Sequence, residues 1–217
     1  MSRGALLRGL NLKRQALWPS LLLAILLLAF GLRVGRLTAQ SLWRDEVDAL
    51  RFSQESLATM VANFTRRGWN GPLYYIFLRG WVALAGQSAF AMRYFSLIFG
   101  VLAVACIYRM ARLWFTEPVP ALSALLLATS PYMVWYGQEA KMYALLTVLV
   151  MATLYVYVQA LRGGHWASWT LALVLTWISI GVHIMGGLLI PLMIALFFAW
   201  WPSARAQWRQ ALLALAG

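Results

Sequence analysis

The sequence predicts an all-α polytopic membrane protein. Hydrophobic residues make up 63% of the 217-residue chain and charged residues only 11%, and the mean hydropathy is +0.72. This composition excludes a soluble globular domain and a disordered tail. The apolar residues form runs of about 20, the length that a helix needs to cross a bilayer. The net charge of +12 comes from arginines and lysines between these runs, which indicates membrane topology and lipid contact rather than a nucleic-acid partner.

Six apolar segments are predicted to span the membrane. The first follows a basic N-terminus and runs to Leu32; because no small-residue cleavage site follows it, we interpret it as a retained helix rather than a signal peptide. Residues 211–217 resemble the start of a further helix, so we expect residues 1–217 to form a single transmembrane module at the front of a larger protein. The other five predicted spans cover residues 91–113, 118–135, 142–161, 166–183 and 186–201.

The segment of residues 72–86 decides the predicted topology. It is apolar but only about fifteen residues long, begins at Pro72 and carries Arg79, which favours a helix lying in the membrane interface over a further span. If it does not cross, the basic residues of all later loops lie on the same side as the basic N-terminus, as the positive-inside rule requires. Residues 37–90 then form one long external loop.

Four of the six acidic residues of the chain fall within eleven positions of this loop. Carboxylates near hydrocarbon are costly and mark functional sites, although a run of charges in isolation is more often a solvated face. Asp45 recurs at helical spacing with apolar residues such as Phe52, whereas Asp48, Arg51 and Glu55 share another face. We therefore predict one or two amphipathic interfacial helices in which Asp48 and Glu55 are solvated and Asp45 faces protein or membrane.

Four short motifs follow one another along the chain. They are Trp43-Arg44-Asp45-Glu46, Asn70-Gly71-Pro72-Leu73-Tyr74-Tyr75, Arg93-Tyr94-Phe95-Ser96, and Ser130-Pro131 followed by Tyr136-Gly137-Gln138-Glu139-Ala140-Lys141-Met142-Tyr143. In this order they resemble glycosyltransferase family 39 of the GT-C superfamily, which includes protein O-mannosyltransferases and aminoarabinose transferases of lipid A. The resemblance covers nearly the whole chain. Where many members have a second proline, this chain has Asn70-Gly71, and the further spans usual in the family are missing.

The resemblance implies a polytopic membrane glycosyltransferase with a GT-C-like N-terminal module. Such enzymes take a sugar, commonly mannose or a related hexose, from a polyprenyl phosphate. They pass it, usually with inversion, to a hydroxyl-bearing acceptor, which is a protein, a lipid or a glycan. The reaction takes place on the external side of the membrane, here expected to be the periplasmic face of a bacterial inner membrane.

The resemblance associates catalysis with the first carboxylate of the acidic pair, Asp45. Transfer needs a base that removes the proton of the acceptor hydroxyl. We assign this role to Asp45, with Glu46 orienting it. Alternatively, Asp45 and Glu46 bind a divalent cation such as Mg²⁺ or Mn²⁺, although two carboxylates alone specify no metal.

The leaving phosphate needs positive charge rather than a general acid. Lys141 and Arg93, at the external ends of predicted spans, are the candidates, and the alternative for each is an interface anchor. Gln138 lies three residues before Lys141, so on a helix both side chains face one cavity. The other substrate-binding candidates are Tyr74 and Tyr75 for stacking on a sugar, His183 for phosphate contact or simple packing, and Asn70 and Glu139 from the matching motifs.

Two other functions stay open on the sequence alone. A lipid-carrier flippase or transporter would use intramembrane charges to line a pathway rather than to perform chemistry. A truncated assembly partner would keep the fold without the activity.

Overall fold

The computed structural model describes residues 3–65 and 71–200, with side chains from residue 17 onward, and the regular structure in these residues is entirely helical. The predicted all-α class is therefore confirmed. A 3₁₀ turn, Ile184–Leu188, directly precedes the last described helix. The α-helices of the described residues are α1 (Arg3–Val34), α2 (Arg44–Gln54), α3 (Leu57–Phe64), α4 (Pro72–Ala85), α5 (Ala89–Ala111), α6 (Val119–Thr129), α7 (Pro131–Tyr136), α8 (Tyr143–Leu161), α9 (Trp166–Val182) and α10 (Leu189–Ala199).

Within the described part of the chain, three helices are long and apolar enough to cross a membrane: α1 over Leu17–Val34, α5, and α8. The other three predicted spans correspond to shorter apolar helices, which are α6, α9 and the stretch Ile184–Ala199. Every predicted apolar segment is thus helical where it is described. The expected further helix at residues 211–217 lies outside the described residues.

The segment of residues 118–135 is not one helix as predicted but two, because the chain breaks at Ser130. The backbone of Ser130 has φ −59° and ψ 118°, and its hydroxyl accepts a hydrogen bond from the Met133 N–H at 3.5 Å. Pro131 lacks an N–H and disfavours the helical conformation in the residue before it. As a result α7 is a separate helix of six residues that packs against α1, α5 and α8.

Residues 37–90 contain the two short helices α2 and α3, in agreement with the one or two that helical spacing predicts. Asp48 and Arg51 pair on the exposed face of α2, with 3.8 Å between Oδ1 and Nη1. Ala49 and Ser53, which belong to the predicted stripe, are buried, but at the start of α2 the buried carboxylate is Glu46 and not Asp45. The side chain of Asp45 is half exposed.

The helix α4, at the position of the predicted interfacial helix, packs against α2, α3, α5 and α9. Its buried tyrosines and Leu78 form one core with residues of α5 such as Met92 and Phe95. At the start of α4 the backbone passes very close to α9: a Cβ atom on Gly71 would lie 1.8 Å from the carbonyl oxygen of Gly181. Only glycine fits there, so α9 fixes the position of α4.

Two further cores complete the bundle. One joins α1, α5 and α6 around small residues such as Ala29 and Ala124, which allow the helix backbones to approach closely, as in other membrane bundles. The other joins α8, α9 and α10 around Tyr157 and Trp169. The segment between α7 and α8 forms a junction, since it is hydrogen-bonded to α1 through Gln138, to α2 through Ala140 and to α5 through Lys141.

Candidate active site

Glu46 is the centre of the polar network at this junction. The residue is fully buried. Its Oε1 accepts hydrogen bonds from Nε of Arg93 at 2.9 Å and from the backbone N–H of Ala140 at 2.9 Å. Its Oε2 accepts from Nη2 of Arg93 at 2.6 Å and from the backbone N–H of Trp43 at 3.2 Å. One carboxylate therefore joins the start of α2, the start of α5 and the segment before α8.

Arg93 uses every N–H donor of its guanidinium inside the protein. Besides Glu46, its Nη1 donates to the carbonyl oxygens of Leu37 and Gln40, both at 2.8 Å, and its Nη2 donates to that of Ser41 at 3.0 Å. The pair with Glu46 is side-on and bidentate, the strongest geometry for arginine and a carboxylate. This geometry does not support the expectation that Arg93 binds the donor phosphate. It indicates a positioning role, in which Arg93 holds the chain between α1 and α2.

Asp45 and Lys141 face each other beside this network. The distance from Oδ2 of Asp45 to Nζ of Lys141 is 4.0 Å, and the side chains are 51% and 12% exposed, respectively. Burial lowers the pKa of Lys141, and the negative charge of Asp45 opposes this shift. The Lys141 carbonyl accepts a hydrogen bond from the hydroxyl of Ser96 at 3.2 Å, so its backbone is anchored to α5. Asp45 is thus an accessible carboxylate with a cation beside it.

Lys141 and Gln138 do not share a helical face, because the segment from Gly137 to Met142 is not helical. The expectation based on helical spacing is wrong here. The side-chain amide of Gln138 instead donates to the carbonyl oxygens of Leu32 and Arg33, at 3.2 and 3.0 Å. These are carbonyls of the last turn of α1, which have no partner within the helix. Gln138 therefore ties the segment to α1.

Glu139 is nearly buried, at 8% exposure, and its Oε1 accepts a hydrogen bond from Nε1 of Trp135 at 2.5 Å. Burial raises the pKa of this carboxyl, although the hydrogen bond from Trp135 lowers it. Its other oxygen has no hydrogen-bond partner among the described residues. Glu139 is therefore a second candidate for contact with a substrate hydroxyl.

The two tyrosines expected to stack on a sugar lie in the core. Tyr74 is completely buried and Tyr75 is 6% exposed, and their rings pack edge-to-face with centroids 5.5 Å apart. Since neither ring offers a free face, this packing does not support a stacking role. The hydroxyl of Tyr74 has no hydrogen-bond partner in the described part of the chain. Asn70, also predicted to bind substrate, lies outside the described residues.

His183 ends α9 and caps the 3₁₀ turn that follows it. Its Nδ1 accepts a hydrogen bond from the backbone N–H of Met185 at 3.0 Å, and its ring centroid lies 6.1 Å from that of Tyr143. A histidine whose Nδ1 already caps the backbone fits the packing alternative better than phosphate contact.

The residues do not fit a divalent cation held by Asp45 and Glu46. Both oxygens of Glu46 already accept two hydrogen bonds each, including those from Arg93. Asp45 is then left as a single carboxylate with a lysine beside it. Among residues 17–65 and 71–200, no three His, Cys, Asp or Glu side chains cluster closely enough to hold a metal ion.

Two cavities flank α7. The first, here called the polar cavity, has a volume of about 450 Å³. The second, here called the tyrosine groove, has a volume of about 150 Å³ and contains Tyr132, Tyr136 and Tyr143. The lining of the polar cavity is Arg36, Ala39, Gln40, Trp43, Glu46, Arg93, Trp135, Gln138 and Glu139. Arg36 and Trp135 were not recognised in the sequence, where they look like ordinary interface residues.

Arg33 is a further residue that sequence reasoning missed. It is completely buried, and its Nη1 donates to the carbonyl oxygens of Ala29 and Ala128 at 3.0 and 3.1 Å. Its side chain lies between Gly100 and Gly137, where an added Cβ would approach it to 2.9 Å. Its Nε and Nη2 have no hydrogen-bond partner among the described residues. No sequence pattern distinguishes Arg33 from a basic residue that reaches the membrane surface.

The helical bundle with its long apolar helices defines an integral membrane protein. Residues 70–217 match the family described as dolichyl-phosphate-mannose-protein mannosyltransferase, and the chain belongs to this family. The matched region contains Arg93, Glu139 and Lys141 and begins after Asp45 and Glu46. Neither the curated proteins nor the solved structures contain a significant match to the chain.

Proposed function

We propose that the chain transfers a hexose such as mannose from a polyprenyl phosphate to a hydroxyl acceptor, with Asp45 as the general base. The observation that carries this proposal is the pairing of Asp45 with Lys141 across 4.0 Å. Asp45 is open to an incoming acceptor, and Lys141 is a mostly buried cation that has no closer acidic partner among the described residues.

Asp45 and Lys141 together account for every proton and charge that moves in the transfer. The acceptor oxygen attacks the anomeric carbon while its proton passes to the Asp45 carboxylate. The bond between the anomeric carbon and the phosphate oxygen breaks, and the electron pair leaves with the polyprenyl phosphate. Lys141 stabilises the charge that grows on this oxygen, and its partial burial strengthens the interaction. Attack opposite the leaving group inverts the anomeric configuration.

The buried pair of Glu46 and Arg93 serves this chemistry by positioning. Asp45 is adjacent to Glu46 in α2, and Lys141 follows Ala140, whose N–H binds the same carboxylate. Base and cation are therefore held on opposite sides of one rigid link, as preorganised electrostatics requires. We place this site at the outer face of the membrane, because the basic residues of the other loops then face inward.

The test is a transfer assay with purified chain, a radiolabelled polyprenyl-phosphate mannose and a hydroxyl acceptor. Loss of the base should lower the rate of Asp45→Asn by about 10²–10⁴-fold. The matched control is Glu55→Gln, which removes a solvated carboxylate that follows the same helix. Equal activity in both variants would refute the assignment of Asp45. Movement of the intact lipid across the membrane without sugar release would favour a flippase instead.

A further inference from the structure

We infer that the polar cavity binds a pyranose ring, with Trp43 and Trp135 against the ring faces and Glu139 on its hydroxyls. This inference rests on the proposed glycosyl transfer and names the part of the substrate that the cavity takes. It concerns residues that are separate from the Asp45 and Lys141 pair, neither of which lines the cavity.

The size and charge of the cavity fit an uncharged, polyhydroxylated ligand. Its volume of about 450 Å³ lies within the range of roughly 300–1,000 Å³ that small-molecule sites occupy. Two arginines and two glutamates line it, so their formal charges cancel, and Arg93 is fully engaged by Glu46 and three carbonyls. A phosphate would be placed better beside Lys141, where a cation has only a distant partner.

Both indole rings are exposed, and the ring of Trp135 is held in place. Trp43 is 48% and Trp135 is 62% exposed. The backbone of Trp43 is fixed by its hydrogen bond to Glu46, and the ring of Trp135 is fixed by the bond from its Nε1 to Glu139. Flat apolar faces with a fixed orientation suit the C–H faces of a sugar ring, and holding them in advance lowers the entropy lost on binding.

Glu139 supplies the polar half of the site. Glu139 lines the cavity; one of its oxygens orients Trp135, and the other has no hydrogen-bond partner in the described residues. A carboxylate oxygen accepts from a sugar hydroxyl in a charge-assisted bond. Arg36, which is exposed at the same cavity, can donate to a neighbouring hydroxyl or ring oxygen.

The helix α7 separates this cavity from the tyrosine groove. Tyr132 and Tyr136, four residues apart on one face, line the groove, whereas Trp135 lines the polar cavity. The cavity on one side of α7 is therefore lined by charged residues and tryptophans, and the one on the other side by tyrosines and apolar residues. The pyranose in the polar cavity is either the sugar of the lipid donor or a sugar of the acceptor.

The experiment measures binding of methyl α-D-mannopyranoside to the whole chain in nanodiscs by saturation-transfer NMR. The native chain and the control Glu55→Gln should bind it equally. Glu139→Gln and Trp135→Leu should bind at least about tenfold more weakly, because each removes a direct contact. The control is Trp177→Leu, which removes an indole of nearly equal exposure, 64%, outside the cavity. Equal loss in both tryptophan variants, or binding no stronger than to empty nanodiscs, would overturn the inference.

Competition then identifies the source of the sugar. Displacement of the glycoside by polyprenyl-phosphate mannose but not by polyprenyl phosphate assigns the cavity to the donor sugar. Displacement by neither lipid assigns it to an acceptor sugar. Displacement by both would mean that the lipid phosphate occupies the cavity, and the inference would be wrong. Transfer that depends on Asp45 without glycoside binding would refute only this inference, whereas binding without transfer would refute only the proposed function.

Discussion

The substitution Glu46→Gln tests the polar network most directly. Glu46 accepts four hydrogen bonds, two from Arg93 and two from backbone N–H groups. A glutamine keeps the size of the side chain but replaces one accepting oxygen with an NH₂ group that faces donors. It also leaves the guanidinium of Arg93, 6% exposed, without a negative charge.

Breaking one side of a buried ion pair costs about 3–5 kcal/mol, because the remaining charge stays buried without compensation. For a chain of this size, each kcal/mol corresponds to about 2–4 °C in the unfolding midpoint, so Glu46→Gln should lower it by roughly 6–20 °C. The double variant Glu46→Gln with Arg93→Gln should lose less than the sum of the two single variants, because no unpaired charge remains.

The assay is thermal unfolding of the purified protein in detergent, followed by near-UV circular dichroism. Asp48→Asn is the control, since it breaks the exposed pair with Arg51 and should cost no more than about 1 kcal/mol. If Glu46→Gln unfolds within a degree or two of Asp48→Asn, the buried pair does not organise the site as described.

Three further predictions follow from single contacts. Gly71→Ala would place a Cβ on the Gly181 carbonyl and should lower the free energy of unfolding by at least about 3 kcal/mol. Gly80→Ala, with open space around it, should instead stabilise α4 by about 0.5–1 kcal/mol. Thermal unfolding midpoints of the two variants test this difference. Tyr74→Phe removes a buried hydroxyl that has no hydrogen-bond partner among the described residues and should raise stability by roughly 1 kcal/mol. A lower unfolding midpoint would show that this hydroxyl is hydrogen-bonded in the folded protein. Because burial raises the pKa of Glu139 above 4.5, the folded chain binds this proton more tightly, so stability should fall as the pH rises from 4.5 through the folded-state pKa. Glu139→Gln should remove this part of the pH dependence in unfolding scans between pH 4 and 8.

The helical framework could be predicted from hydropathy because each apolar segment satisfies its own backbone within the membrane. The break at Ser130 escaped this reasoning, since a window of apolar residues does not detect one serine followed by proline. The local rule that a proline disfavours helix in the preceding residue would have found it.

The sequence predicted where the polar site lies along the chain, but not which of its side chains are buried and which are exposed. The helical pattern predicted the burial of Ala49 and Ser53 but put Asp45 on the same face, where Glu46 is the buried carboxylate. Neighbouring residues of a helix point about 100° apart, so the two carboxylates have different environments. Glu46 is the buried carboxylate because it pairs with Arg93, 47 positions away. Arg93 is in turn held by backbone carbonyls, and the periodicity of the sequence contains no sign of these contacts. The hydrogen bond between Gln138 and the end of α1 could not be predicted for the same reason, since its partners lie far apart in the sequence.

The acceptors that surround Arg93 have a consequence for where this chain can be divided. All of them, Leu37, Gln40, Ser41 and Glu46, precede residue 70, where the family match begins. A boundary drawn at that residue would therefore separate Arg93 from all of its hydrogen-bond acceptors, and the two pieces would not be independent. Fragments expressed on either side of it should become soluble in detergent and cooperative in unfolding only when both are produced together.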